Sequence, residues 1–302
     1  MRILLHYDGE FERPGWDVAI CSEQDEERFA ALLPDAEVIW HVLRPLTAAD
    51  FDRAPKLRLV QKLGTGVNTI DLDAAEERGI TVANMPGRNA QAVAETSLLL
   101  MLAALRKVVA FDARTRAGRG WPAERALTGG EIAGRTVGLL GGGEIATLLR
   151  GMLTAIGANV LFTSRTPRPD DPSWRPLDDL LRASDIVSVH IPLTDETHHL
   201  LNRERLALLR PGAVVVNTAR GQIIDERALL DALDSGHLAG AGLDVFEQEP
   251  VDAGNPLLRR EDVVVMPHVA WLTHETWDRY FEVAMENVRR LEAGGELLHR
   301  VR

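Results

Sequence analysis

Three polar side chains stand just past short aliphatic runs: Arg220 in Val216-Asn-Thr-Ala-Arg-Gly221, Glu249 in Asp244-Val-Phe-Glu-Gln-Glu-Pro250, and His268 in Met266-Pro-His-Val-Ala-Trp271. An arginine offers a planar fork of donors that matches a carboxylate and polarises a neighbouring carbonyl. An imidazole titrates near neutral pH, so His268 is suited to giving and taking a proton, and a carboxylate beside it favours the charged form. Glu249 is the candidate for that carboxylate. Ligand sites in open α/β sheets lie at the carboxyl ends of strands, where all three residues fall. Singly, each also has a plainer reading: a surface arginine, a turn carboxylate, a histidine satisfied by the backbone.

A second pattern concerns phosphate. In Val137-Gly-Leu-Leu-Gly141-Gly142-Gly143-Glu144-Ile145-Ala146 an aliphatic run enters a glycine turn, and an apolar helical stretch, Thr147 to Ile156, follows. This is G-x-G-x-x-G/A in its required context, with Ala146 in the third position. The first glycine permits the tight turn, and Gly143, without a side chain, lets a pyrophosphate approach the free N–H groups of a helix start. About 20 residues on, where a carboxylate would take the 2′-hydroxyl of NAD, the chain instead reads Ser164-Arg165-Thr166, with Arg168 close by. Arg165 suits a 2′-phosphate, which favours NADP(H) over NAD(H). The plainer reading is a solvated loop arginine.

The elements that must carry these residues alternate between short aliphatic strands and amphipathic stretches. Arg2-Leu5, Val38-Trp40, Leu57-Leu63 and Thr81-Ala83 form a first series of predicted strands. Thr136-Leu140, Val160-Thr163, Ile186-His190, Val214-Asn217, Gly240-Val245 and Val263-Met266 form a second. Such alternation predicts parallel sheets with crossover helices. Between the two series one long helix is expected from Val93 to about Gly118, ending in the loop Gly118-Arg-Gly-Trp-Pro122. A final helix is expected from about Thr273 to Leu291. It is either one more helix on the second sheet or a return to the first domain.

Length and composition set the frame. A chain of 302 residues suggests two domains, and 45% hydrophobic with 26% charged residues is the ordinary globular balance. A net charge of −11 without a basic run argues against nucleic acid as a partner. The lone cysteine, Cys21, excludes an internal disulfide framework and reads as a small packed side chain. No stretch is long and apolar enough for a signal core or a membrane span, so neither a targeting segment nor an anchor is expected, and the expected location is cytoplasmic.

Together with the glycine turn, the three segments around Arg220, Glu249 and His268 resemble the D-isomer-specific 2-hydroxyacid dehydrogenase family. The likeness extends further. Leu63-Gly-Thr-Gly-Val-Asn-Thr-Ile-Asp71 is similar to that family's substrate loop. Asn84-Met-Pro-Gly-Arg-Asn-Ala90 with Val93-Ala-Glu95 is similar to its crossing into the cofactor domain, and Asp185 to Thr197 resembles its nicotinamide-side loop. The resemblance implies an α/β chain of two doubly wound parallel-sheet domains: a Rossmann-type cofactor domain over 93–273 and a smaller flavodoxin-like substrate domain built from 1–92 and 274–302. The active site would lie in the cleft. It also implies a homodimer.

The implied reaction is hydride transfer between NAD(P)H and a small 2-oxo acid, giving a 2-hydroxy acid. Arg220 would grip carboxylate and carbonyl oxygens, His268 would supply the proton, and Glu249 would support His268. The backbone N–H groups of Thr65 and Gly66 would hold the substrate carboxylate. Around the cofactor the resemblance places Gly141, Gly143, Glu144, Ile145, Ser164, Arg165, Thr166, Pro192, Thr197, Thr218, Ala219, Arg220, Asp244 and His268, with no metal. For Asp244 a turn-capping role remains the alternative. Trp271 resembles the hydroxypyruvate and glycerate branch, or is ordinary packing. Residues Trp40 to Pro45 are candidates to face the substrate's third carbon, with His41 or Arg44 favouring a polar or charged tail, or are simply exposed. Glyoxylate or hydroxypyruvate is the expected substrate, with bulkier 2-oxo acids such as phenylpyruvate next. A cofactor-sensing binding protein on the same fold, or a dehydrogenase of formate or phosphite, stands as the alternative function.

Overall fold

The computed structural model describes residues 1–8, 11, 15–119, 121 and 127–302. The predicted loop 118–122 falls partly outside them, at Gly120 and Pro122. The described chain divides into two compact units, Met1–Asn89 with Thr273–Arg302, and Ala90–Leu272.

The first unit holds five parallel strands, β1 Arg2–His6, β2 Asp17–Cys21, β3 Val38–His41, β4 Leu59–Lys62 and β5 Thr81–Ala83, in the order β2-β1-β3-β4-β5. This is the flavodoxin-like doubly wound order. Strand β2 was not expected from sequence: it lies at the sheet edge, and only Cys21 among its residues is buried. A half-solvated strand of five residues carries a weak hydrophobic signal. Cys21 itself is packed against the sheet core, and burial pushes its thiol up. Helices α1 Glu26–Leu32 and α3 Leu72–Glu77 begin where Asp25 and Asp71 accept the N–H of Arg28 and Ala74, at 2.9 and 3.0 Å. The short α2, Ala48–Asp52, starts on a Thr47/Asp50 capping box.

The second unit opens with α4 Ala90–Leu105 and α5 Val108–Arg116. One continuous helix had been expected here; the break falls at Lys107, whose φ of +53° is left-handed. Lys107 Nζ donates to the carbonyl of Ala239 at 2.5 Å, so a tertiary contact holds a turn that local propensity does not ask for. Six parallel strands follow: β6 Thr136–Leu140, β7 Asn159–Thr163, β8 Ile186–Val189, β9 Ala213–Asn217, β10 Leu238–Leu243 and β11 Val263–Val265. Their order is β11-β10-β9-β8-β6-β7. An isolated parallel bridge between Phe162 and Trp174 stands beside β7 where a Rossmann sheet carries its third strand. Strand β9 is buried at every position, as a central parallel strand covered on both faces must be. Each such aliphatic side chain contributes about 1.5–3 kcal/mol of burial.

Between the strands run α6 Glu144–Ala155, α7 Leu177–Ala183, α8 Arg203–Leu206 and α9 Glu226–Asp234. The last helix, α10 His274–Glu292, belongs to the first unit, and an antiparallel bridge from Arg300 to Ala83 ties the C-terminal segment to β5. Among the described residues no helix is long and apolar enough to cross a membrane, and no cluster of His, Cys, Asp and Glu fits a metal ion.

Candidate active site

The glycine turn forms where β6 meets α6. Gly141 has φ +120°, and a Cβ there would stand 2.3 Å from the carbonyl oxygen of His190, so only glycine fits between the two strand ends. At Gly143 an added Cβ meets no protein atom within 4 Å, so a side chain there would fill open space above the turn. Gly143 caps α6 without a side-chain hydrogen bond, whereas Asp225 and Asn202 cap α9 and α8 with theirs. Helix α6 therefore starts without a side-chain cap on its first-turn N–H groups, beside space that a Cβ would enter, and both features fit a pyrophosphate. Glu144 and Ile145 form the first turn, and Ala146 is buried against the sheet. At the end of β7 the Ser164 hydroxyl donates to the carbonyl of Thr166 at 2.6 Å, and Arg165 and Thr166 are exposed. The Thr197 hydroxyl donates to the carbonyl of Pro192 at 2.8 Å and so closes the loop after β8 on itself.

Arg220 follows β9. Asn217, the buried last residue of that strand, donates through Nδ2 to the carbonyl of Arg220 at 2.8 Å and accepts the N–H of Ala219 at 3.0 Å. One side-chain amide thus closes the turn that carries the guanidinium. Arg220 Nη1 also donates to the carbonyl of Ala219 at 2.7 Å. Burial draws the guanidinium below its ordinary value while Glu249 pulls it up, and it stays charged. At Gly221 a Cβ would stand 1.9 Å from the carbonyl carbon of Phe246, so the Arg220 turn and the loop that carries Glu249 pack backbone against backbone.

Glu249 accepts the N–H of Phe246 at 3.0 Å on one oxygen and meets His268 Nδ1 at 2.6 Å with the other. Burial alone would raise its carboxyl, but the His268 hydrogen bond and charge, the Phe246 N–H and Arg220 outweigh it and hold the group below its ordinary value. An ionised carboxylate only accepts, so Nδ1 of His268 carries the proton in this pair and Nε2 is left as the group that exchanges one.

His268 has φ +57°, a left-handed conformation that costs an L-residue roughly 1–2 kcal/mol. Asp244 holds this turn: the His268 N–H donates to the Asp244 carbonyl at 2.7 Å, and the Asp244 carboxylate accepts the N–H groups of Val269 and Ala270 at 2.8 and 2.9 Å. The Asp244 carboxylate thus caps this turn. Burial pushes its carboxyl up, against those two N–H groups. Thr218 pairs with the buried Ser97 of α4 at 2.9 Å, and Thr96 donates to the carbonyl of Ala270 at 3.2 Å. Sequence reasoning missed Asn217, Ser97 and Thr96; a polar residue closing an aliphatic run is the one signal that could have pointed to Asn217.

Thr65 and Gly66 belong to the first unit, after β4. Asn84 Nδ2 donates to the carbonyl of Thr65 at 2.8 Å, and among the described residues no acceptor takes the N–H of Thr65 or Gly66. The sequence reading of Arg44 and His41 needs correction. Arg44 grips Glu26 at 2.6 and 2.7 Å and Asp50 at 3.3 Å, while His41 is fully buried and its Nε2 meets the carbonyl of Arg44 at 2.5 Å. Both are engaged by their own unit rather than offered to a ligand.

A dinucleotide turn, an arginine on one strand end, and a carboxylate-backed imidazole on the next two define a nicotinamide-dependent oxidoreductase. Residues 98–270 match the model of the D-isomer specific 2-hydroxyacid dehydrogenase NAD binding domain. The chain is 38% identical over 289 residues to the glyoxylate reductase of Korarchaeum cryptofilum, covering 93% of this chain and 84% of that one. It is 39% identical over 278 residues to the D-3-phosphoglycerate dehydrogenase of Mycobacterium leprae, covering 89% of this chain and 52% of that longer protein. The crystal structure of a glyoxylate reductase from Paecilomyes thermophila superposes with a TM-score of 0.84 at 30% identity, over 99% of this chain and 98% of that one. The chain belongs to the D-isomer specific 2-hydroxyacid dehydrogenase family.

Proposed function

We propose that this enzyme reduces glyoxylate to glycolate and other small 2-oxo acids to D-2-hydroxy acids, with Arg220, Glu249 and His268 as its catalytic residues. The 2.6 Å pair between Glu249 and His268 Nδ1 carries the reading, because it leaves Nε2 to protonate a carbonyl oxygen. A bound nicotinamide supplies or accepts the hydride. Arg220 holds the substrate carboxylate and stabilises the charge that grows on the carbonyl oxygen. His268 Nε2 delivers the proton in reduction and removes it in oxidation, and Glu249 stabilises the imidazolium between these steps. The N–H groups of Thr65 and Gly66 take the substrate carboxylate.

On the cofactor side we assign the pyrophosphate to Gly141, Gly143, Glu144 and Ile145. Ser164, Arg165 and Thr166 take the 2′ position, and Pro192, Thr197, Thr218, Ala219, Asp244, Arg220 and His268 surround the nicotinamide end. Exposed Arg165 and the lack of a carboxylate at the end of β7 favour NADP(H) over NAD(H). Residues 1–92 with 274–302 serve as the substrate domain and 93–273 as the cofactor domain. With Arg44 and His41 engaged within their own unit, neither is left for a second anionic group, which supports a small substrate over a phosphorylated one. The sensor and the formate or phosphite readings are not favoured.

The test follows absorbance at 340 nm, the reduced nicotinamide band, with NADPH or NADH and glyoxylate, hydroxypyruvate, pyruvate or phenylpyruvate. Turnover of glyoxylate or hydroxypyruvate with NADPH preferred is expected. Preference for NADH overturns the Arg165 assignment alone, and no turnover with any 2-oxo acid overturns the reaction.

A cytoplasmic homodimer completes the proposal. Leu99 and Leu102 on α4 are 55% and 38% exposed, and Val108 on α5 is 49% exposed, an apolar face that a second copy would cover. Light scattering is expected to return twice the chain mass, and a Leu99→Glu/Leu102→Glu variant the mass of one chain. A monomeric wild-type enzyme would rule the dimer out.

A further inference from the structure

We infer that Trp271 is a positioning residue for His268, an inference that rests on the reading of His268 as the proton donor. Trp271 Nε1 donates to the backbone carbonyl of His268 at 3.0 Å, and Trp271 is 7% exposed. The N–H at the other end of that same peptide, on Val269, donates to Asp244 Oδ1 at 2.8 Å. With both ends of one peptide plane fixed, the ψ angle of His268 is fixed. The bond from the His268 N–H to the Asp244 carbonyl at 2.7 Å holds the other side of the residue. The left-handed backbone of His268 is thus tethered at three points, two from Asp244 and one from the indole.

A left-handed residue with a Cβ returns to more populated backbone angles once a tether is lost. Rotation of this peptide swings the imidazole on its root and stretches the 2.6 Å contact with Glu249. A misplacement of about 1 Å at a reacting group costs on the order of 100-fold in rate. Glu249, Asp244 and Arg220 are the charged groups whose fields meet at this pair, and none of them changes when the indole N–H is removed. Loosening the contact weakens the support that Glu249 gives the imidazolium, so the alkaline limb of the reduction profile moves to lower pH. Loss of packing alone lowers thermal stability without moving that limb.

The experiment compares Trp271→Phe, and the enzyme with benzothienylalanine placed at position 271, with wild type. The analogue keeps the ring volume and replaces the indole N–H by sulfur, so a folding failure of Trp271→Phe does not end the test. Expected are a kcat lower by about 10- to 100-fold, a KM and cofactor Kd within roughly two-fold of wild type, and an alkaline limb displaced to lower pH. An analogue enzyme with wild-type kcat and an unmoved limb overturns the role of Trp271. If wild type itself turns over no 2-oxo acid, the reaction is overturned rather than the tether, and the His268 imidazole titration followed by NMR decides the latter: an identical titration in wild type and analogue overturns it.

Discussion

His268→Gln is expected to leave the fold intact while kcat for 2-oxo acid reduction falls by about 100- to 10,000-fold, the usual worth of a positioned acid or base. Glutamine can reach the Glu249 carboxylate from a similar place, but its amide has no proton to transfer at neutral pH. The sign of the pH dependence follows from the same chemistry. Reduction draws its proton from the imidazolium, so its rate is full at low pH and declines as pH rises through the imidazole titration; oxidation needs the neutral ring and rises over the same interval. Glu249→Gln removes the carboxylate that meets Nδ1 at 2.6 Å and should lower kcat by about 10- to 100-fold through loss of the ring's placement. Steady-state kinetics between pH 5 and 9 check both statements. A His268→Gln enzyme within about ten-fold of wild-type kcat, with the limb still present, would remove His268 from the mechanism.

Arg220→Lys is expected to lower kcat/KM by about 100- to 1,000-fold, with kcat and KM both affected and the melting temperature little changed. A lysine keeps the charge but replaces a planar fork with a mobile point charge, and a carboxylate beside a carbonyl needs two donors in fixed relation. The site invests in that geometry: Asn217 closes the turn from both sides and Arg220 Nη1 leans on the Ala219 carbonyl. Initial-rate measurements across glyoxylate concentrations read the two constants separately. If Arg220→Lys kept most of its kcat/KM, the carboxylate would have to be held elsewhere, and the roles given to Thr65 and Gly66 would need to grow.

Much of the second unit was legible because its signals are short-range. The strand before Gly141, the turn itself and the helix after it occupy one continuous segment, and glycine at Gly141 answers a steric demand made by the adjacent strand end at His190. Central strands such as β9 advertise themselves through unbroken aliphatic runs. The edge strand β2 does not, since half its surface meets solvent, and the break at Lys107 depends on a carbonyl far away in sequence. Arg44 shows the limit most clearly. From its neighbours it was a free cation, yet Glu26 and Asp50, brought in from two other segments, take its donors.

The sequence by itself determined the alternation of strands and helices, the glycine turn and the residue types at the strand ends, because each is written within one segment whose period or steric requirement is local. The tertiary structure decided which of those residues meet. Pairing of β9 with β10 and of β10 with β11 brings three separate strand ends side by side. Only then does Glu249 stand 2.6 Å from His268 and fix which ring nitrogen holds its proton. It also decided that Asp244, Asn217 and Trp271 hold backbone in place, since a hydrogen bond between residues distant in sequence exists only once the chain has paid the entropy of bringing them together.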